Sequence, residues 1–500
     1  MRKVEVKMLI RPLEYKEGAE NYICEPGVKA YSEEFDGAVR TWKEFLPSSY
    51  DGSKSIPLVL SFHGGNAGPG HDLHHAETRA AWTTVAEAFG FMVLYPQSLA
   101  PDLAWNPWNY YSEKDGLKDD IAYLDWLIDR TVEKYNIDKE RIYMHGHSFG
   151  DVMGTCYVLE RGERFAAAAL MSGPAAADQF VNDDGSFKFG TDKALPVVKV
   201  HGSEDLMMPM GRYHLKSECA SPNTCDPGRR LMKASGGVIT EEMRRMKYQL
   251  SFLPNLLNWR HINSCEEVPV LSLRGDYNIA QYKGDQKLTF YSVEGGVHNP
   301  YKPMADYIWR YFFSAYKRVD GKIVRVEPER TFEPDKMASV IAEGAEKAYV
   351  RGEIKALSTK IRRFNGALCA VPEDVCVLLP ELSFRYDMDG KVVYFTKGSD
   401  ELQLAAGNQT VVYNNELKWF SFTRFEDGKL YVPIADIAAQ MLGLYSAAAY
   451  DALFISEHEG RLTYDMAYII RELLGTEEKL LPIDCLEREK AELANKANYL

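Results

Sequence analysis

The stretch that decides the fold is Arg141-Ile142-Tyr143-Met144-His145-Gly146-His147-Ser148-Phe149-Gly150-Asp151. Its first half is a β-branched and apolar run of strand length. Its middle is a Gly-x-Ser-x-Gly pentad, and Asp151 to Glu160 continues as a helical pattern. A serine on a sharp turn between strand and helix is the nucleophile elbow, and the pentad means little without both flanks. The glycines have a physical purpose. A strained turn that brings helix and strand together leaves no room for a Cβ on either side of the exposed serine. Ser148 is therefore the candidate nucleophile rather than a structural serine.

Outward from the elbow, strand-like runs alternate with amphipathic stretches. Ile56 to Phe62, Phe91 to Tyr95, Ala167 to Met171, Pro196 to His201 and Leu288 to Val293 read as buried strands. Asp119 to Tyr135 and Tyr307 to Lys317 read as helices between or after them. This alternation predicts the α/β class, with a mostly parallel sheet covered on both faces and ligands at the carboxyl ends of the strands.

A serine hydroxyl needs a base to take its proton, and that base needs an acid to orient it. In elbow-type hydrolases the chain order is Ser, acid, His. Asp205 follows the strand that ends in His201-Gly202-Ser203-Glu204 and is the candidate acid, with Glu204 as the fallback and helix capping as the bland alternative. His298, in Glu294-Gly295-Gly296-Val297-His298-Asn299-Pro300, is the candidate base. The developing oxyanion needs aimed N–H donors. Phe149, next after the nucleophile, supplies one. Gly65 in His63-Gly64-Gly65-Asn66 supplies the other, with Asn66 as the alternate.

These residues form one ordered set with Leu46 to Asp51, Pro57 to Gly65, Tyr95-Pro96-Gln97, Trp105-Asn106-Pro107-Trp108-Asn109 and Asp119-Asp120. The set resembles the polyhydroxybutyrate depolymerase and feruloyl esterase-type α/β-hydrolases of the carbohydrate esterase 1 group, over about residues 40–318. The resemblance implies an α/β-hydrolase fold, a Ser148–Asp205–His298 triad and ester hydrolysis without a cofactor. It leaves feruloyl, acetylxylan and polyester substrates open. Hydroxycinnamoyl esters on plant carbohydrate are the first expectation, with acetylxylan esterase, polyester depolymerase and peptidase as runners-up. A non-catalytic polysaccharide-binding protein on a decayed hydrolase fold is the expectation from another class. His147 and Phe149 are bulkier than the residues family members often carry at the elbow. Trp105 and Trp108 are expected to meet substrate, as are Asn66 and His147, with Tyr110 and Tyr111 as further candidate stacking rings; packing in the core is the plainer alternative for the tryptophans.

The 500 residues are too many for one ordinary core. Residues 1–320 are expected to hold the catalytic domain, with 203–262 an insertion that is a candidate lid. Residues 321–364 read as a linker and a helix, since Met337 to Ile361 is rich in Ala, Glu and Lys. Residues 365–500 read as a smaller α+β domain with a charged helical tail. Turn pairs punctuate this last part: Asp389-Gly390, Gly398-Ser399, Asn414-Asn415 and Asp427-Gly428. Through Gly428 to Gly443 it resembles, over a short stretch, the domain called copper amine oxidase N-terminal-like. The name implies no copper here, because the chain beyond residue 320 has only His458 for an imidazole ligand. It is expected to be an attachment or substrate-presenting module, so truncation after about residue 325 is expected to spare hydrolysis of small soluble esters.

The composition excludes several classes. The apolar share of 46% and charged share of 26% are those of a globular chain. A formal net charge of −13 disfavours phosphate backbones, so no nucleic-acid partner is expected. No apolar run approaches the roughly 18–20 residues of a membrane span. The first residues carry charge but no apolar h-region, so the chain as it stands is expected in the cytoplasm, or outside the cell if a leader has been removed. Eight cysteines are scattered, and reduced thiols are the default, with Cys219 and Cys225 near enough to bridge in an oxidising compartment. No metal is expected. His71, His74 and His75 have helical spacing but suit a rim or a solvent-facing surface better than a metal patch. Asp119 and Asp120 suit a helix start better than an acid–base pair. Met207, Met208 and Met210 suit a flexible apolar wall or plain packing.

Overall fold

The computed structural model describes residues 27–64, 81–99, 105–107, 118–173, 179–203, 205, 253–298, 301, 303–387, 389–477 and 479. The chain divides into two compact units. The first comprises Met1–Gly173 and Asn299–Thr331, the second Pro174–His298 and Phe332–Leu500.

The first unit holds strands β1 (Val28–Phe35), β2 (Ala38–Phe45), β3 (Ile56–Phe62), β4 (Met92–Pro96), β5 (Ile137–His147) and β6 (Ala167–Met171). Their spatial order is β1-β2-β4-β3-β5-β6. β1 and β2 are antiparallel. From β4 to β6 every pairing is parallel, with Val59 opposite both Val93 and Tyr143. All of β4 and β6, and all of β3 after its first residue, are buried. Continuous apolar runs of this kind mark a parallel sheet with both faces covered. Helices α1 (Trp82–Phe89), α2 (Asp120–Lys134), α3 (Phe149–Arg161) and α5 (Pro303–Tyr311) belong to this unit. Asp119 caps α2, its Oδ1 accepting the Ala122 N–H at 3.1 Å. After α5, a hairpin of β11 (Tyr316–Val319) and β12 (Lys322–Arg325) ends the unit.

The second unit holds β7 (Val197–Gly202), α4 (Leu253–Ile262), β8 (Val270–Arg274), β9 (Tyr277–Tyr282) and β10 (Leu288–Val293) in the spatial order β7-β10-β9-β8. β7 and β10 run parallel, and β10-β9-β8 is antiparallel. The β8–β9 hairpin has no counterpart in the sequence reading. With the elbow between β5 and α3, the mostly parallel sheet is that of an α/β-hydrolase.

The second unit also contains the C-terminal region, built of small antiparallel sheets and the helices α6 (Pro372–Leu378), α7 (Ile434–Leu442) and α8 (Tyr464–Leu474). Val350, Ile361, Leu378, Phe395, Leu404, Val432, Ile437 and Ile455 belong to its core. The turn pairs behave as expected: Asp389-Gly390, Asn414-Asn415 and Asp427-Gly428 all take positive φ. The expected helix across 337–361 is corrected. That stretch forms three strands, Ser339–Ala342, Lys347–Val350 and Glu353–Ala356. Gly344, Arg351 and Gly352 sit at φ 78°, 51° and 95°, which breaks any helix there. The β-branched residues Val340, Ile341 and Val350 are buried between them. Most of the 203–262 insertion and almost all of the C-terminal tail lie outside the described residues.

Candidate active site

Ser148 stands between the end of β5 and the start of α3, with φ 58° and ψ −125°. A non-glycine residue there is strained and must be held by its surroundings. Its N–H donates to Met171 O at 2.8 Å, and its own carbonyl accepts the Asp151 N–H at 2.9 Å. The pentad's glycines are explained by contact. A Cβ on Gly146 would lie 2.1 Å from Gly150 O, and one on Gly150 would lie 2.4 Å from Phe62 O. Phe149 is the first residue of α3, so its N–H belongs to the first turn, which has no acceptor within the helix.

The loop after β3 reaches the same place. Gly64 is so close that an added Cβ would lie 3.0 Å from Ser148 Cβ. Gly65 and Asn66 fall outside the described residues, as do Trp108, Tyr110, Tyr111, His71, His74, His75 and Met207, Met208 and Met210. His63 was missed in the sequence reading, and it organises what is seen. Its Nδ1 lies 2.8 Å from Gly64 O, and its Nε2 accepts the Ser98 N–H at 3.1 Å. That pattern requires a neutral ring with the proton on Nδ1. Burial agrees, pushing the ring's pKa down to about 4.

Trp105, expected to meet substrate, is 1% exposed. Its Nε1–H donates to His63 O at 2.9 Å, and its ring stacks on His63 with centroids 4.7 Å apart. It props the loop and offers no open face. The neighbouring Asn106 N–H is accepted by Asp120 at 2.9 Å, and Asp120 is paired with the buried Arg40 at 2.7 Å. Burial raises the Asp120 pKa, opposed by Arg40. The Asp119–Asp120 pair thus caps a helix and anchors a loop. His147 is buried as well. Asp151, another residue without a sequence signal, accepts the Gly173 N–H at 2.8 Å and the Thr155 hydroxyl at 3.1 Å, fixing the chain after β6.

The second unit holds the candidate acid and base, Asp205 and His298. His298 Nδ1 is 2.8 Å from Asp205 Oδ2. Asp205 is fully buried, while the His298 side chain keeps 12% exposure. A carboxylate on Nδ1 fixes the tautomer and gives Nε2 the acceptor role that a nucleophile's hydroxyl needs. The loops carrying the pair are interlocked. A Cβ on Gly202 would lie 2.4 Å from Gly296 O. The Ser203 N–H donates to Val293 O at 2.9 Å, and the Gly295 N–H donates to Ser203 Oγ at 2.9 Å. Glu204 lies outside the described residues.

Among the described residues, no cluster of three or more His, Cys, Asp or Glu side chains could hold a metal ion. Cys265, Cys369 and Cys376 are free thiols, Cys156 is buried, and Cys219 and Cys225 lie outside the described residues. Among the described residues, no helix is long and apolar enough to cross a membrane.

Residues 42–182 match the esterase PHB depolymerase family. The chain is similar to the bifunctional acetylxylan esterase/xylanase of Neocallimastix patriciarum, 28% identical over 172 residues, which cover 34% of this chain and 22% of that one. It is also similar to feruloyl esterase B of Neurospora crassa, 28% identical over 121 residues, covering 24% of this chain and 40% of that one. Each match therefore spans less than half the length of the curated relative. Among solved structures, the acetyl xylan esterase from Aspergillus awamori aligns with TM-score 0.34 and 16% identity, over 55% of this chain and 93% of that one.

Proposed function

We propose that this protein is a serine carboxylic-ester hydrolase acting on esters of plant carbohydrate, without a cofactor. The observation that carries the reading is the Asp205–His298 pair at 2.8 Å in a chain whose Ser148 sits at φ 58° on a glycine-flanked elbow. An elbow alone is a turn, and a buried Asp–His pair alone is a structural contact. Their occurrence in the order Ser, Asp, His is the chain order of an elbow-type hydrolase triad.

In this reading Ser148 attacks the ester carbonyl. His298 takes the hydroxyl proton and returns it to the departing alcohol, while Asp205 orients the imidazole and stabilises its charged form. The Phe149 and Gly65 amides receive the oxyanion. Water, activated by the same imidazole, then releases the acid and frees Ser148. Hydroxycinnamoyl and acetyl groups are the two acyl classes to separate. The similarity to a feruloyl esterase supports the first, and that to acetylxylan esterases the second. The family match also brings a short polyester into the panel.

The test is Ser148→Ala assayed on methyl ferulate, acetylated xylan and a short polyester, with fluorophosphonate labelling of the native chain. Turnover should fall by roughly 10³–10⁶-fold and labelling should vanish. An unlabelled native chain that still binds polysaccharide would replace this reading with the non-catalytic binding protein.

A further inference from the structure

The last helix among the described residues reaches the strands that precede Asp205 and His298. Asp465 lies in the first turn of α8 and is fully buried. Its Oδ2 is 2.6 Å from His201 Nδ1 and accepts the Ser292 hydroxyl at 2.8 Å. His201 is on β7 and Ser292 is on β10, and the two are directly paired in the parallel register. One carboxylate oxygen thus clasps both strands at a single level, immediately before the loops that present Asp205 and His298. Beyond that level the loops lock together through Ser203, Val293, Gly202 and Gly296.

The clasp is not an isolated contact. The Thr463 side chain caps α8 by accepting the Met466 N–H at 3.2 Å. The backbone N–H of Thr463 donates to Asn278 Oδ1 at 3.1 Å, and Asn278 Nδ2 donates to Arg461 O at 2.7 Å. The Gly275 N–H meets Glu459 O at 2.9 Å, and the Arg461 N–H returns to Gly275 O at 3.1 Å. Further along, the Leu271 N–H donates to Tyr349 Oη at 2.9 Å, and the Asp335 N–H to Ser272 Oγ at 3.1 Å. The β8–β9 hairpin is therefore joined to the C-terminal region by two backbone bonds at Gly275 and by side-chain bonds along both strands.

We propose that Asp465 is a positioning residue for ester hydrolysis: through His201 and Ser292 it sets the strands that hold Asp205 against His298, so the C-terminal region is part of the catalytic apparatus. This rests on the triad reading above. It reverses the expectation that the chain beyond about residue 325 is dispensable for small esters. A catalytic pair must be held within about 0.5 Å of its productive geometry, and residues that lock the supporting strands do that work. A buried carboxylate with two donors is also expensive to disturb, because removing it leaves both donors unpaired.

The experiment uses the full-length chain. Wild type, Ser148→Ala, Asp465→Asn and Asp465→Ala are compared by kcat and KM on a soluble short-chain ester, with sites counted by fluorophosphonate and the fold checked by thermal melting. Asp465→Asn should lower kcat per labelled site at least 10-fold and leave KM within about twofold, at a temperature well below its melting transition. A contact that served stability alone would lower the melting temperature and leave kcat per labelled site unchanged, and that result overturns the proposal. If Asp465→Ala and Asp465→Asn do not fold, Ser292→Ala decides. It removes one donor and keeps the His201 contact, so a loss in kcat of threefold or more at constant KM supports the clasp, and wild-type kcat overturns it. A labelled wild type with an inert Ser148→Ala and unaffected Asp465 and Ser292 variants sinks this inference alone. A wild type that neither labels nor turns over sinks the triad reading itself.

Discussion

The proposed nucleophile and the proposed acid–base pair are held in opposite ways, each within its own unit. Ser148 is placed mainly by its neighbours in sequence: a strand before it, a helix after it, and Gly146, which lets the two touch, while Gly150 lets the helix meet β3 at Phe62. Asp205 and His298 are placed by distant chain. Their loops cross at Gly202 and Gly296, and their strands are clasped by Asp465, a residue 264 positions from its partner His201. A local device can be read from a pentad. A device assembled from remote segments cannot, because nothing in the neighbourhood of Asp465 records what it will touch.

That contrast can be broken at several points. The largest effect should come from His298→Ala, which removes the proposed proton acceptor. On the order of 10⁴-fold in kcat should be lost on a soluble ester, with KM little changed. Retained turnover would detach the acid–base side from the chemistry. Next is Gly146→Ala, whose Cβ would meet Gly150 O at 2.1 Å. The elbow should lose several kcal/mol of stability or fail to fold, measured by denaturant melting. A soluble, fully labelled Gly146→Ala protein would show that the turn has slack.

A gentler probe is acid. Burial holds the pKa of His63 down at about 4, from an ordinary 6.5. The ring of His145, also buried, is held at about 3. Between those values and 6.5 the unfolded chain binds protons that the native chain does not. Stability should be full above pH 6.5 and fall progressively as pH drops, with the His63 share exhausted near pH 4. That share is about 3 kcal/mol. His63→Gln should flatten the slope of unfolding free energy against pH, and an unchanged slope would mean the loop is held by other groups. The smallest expected effect is Trp105→Phe, which keeps the stack and loses the Nε1–H bond to His63 O. About 1 kcal/mol is expected in melting, with small-ester kcat within a few-fold.

The sequence made the sheet legible because strands buried on both faces leave unbroken apolar runs, and β3, β4 and β6 are of that kind. The elbow turn was legible because a serine on a tight strand-to-helix turn demands glycines beside it. The segment 337–361 was misread because its Ala, Glu and Lys content outweighed three positive-φ turn positions in the reading. Trp105 was misread because an aromatic beside a site looks the same in sequence whether it faces substrate or a histidine. His63 and Asp465 were invisible for a shared reason: their roles are hydrogen bonds to partners that only tertiary structure supplies.

The crossing of Gly202 with Gly296 bears on how this scaffold can be remodelled. The two loops meet backbone to backbone before either reaches its functional side chain, so neither can gain bulk at that point without displacing the other. Extra chain is tolerated only downstream of the knot. In sequence, residues 206–252 follow Asp205 and so come after Gly202. Variation in substrate preference among such scaffolds should accordingly accumulate beyond the acid, while the tie between the two loops stays fixed.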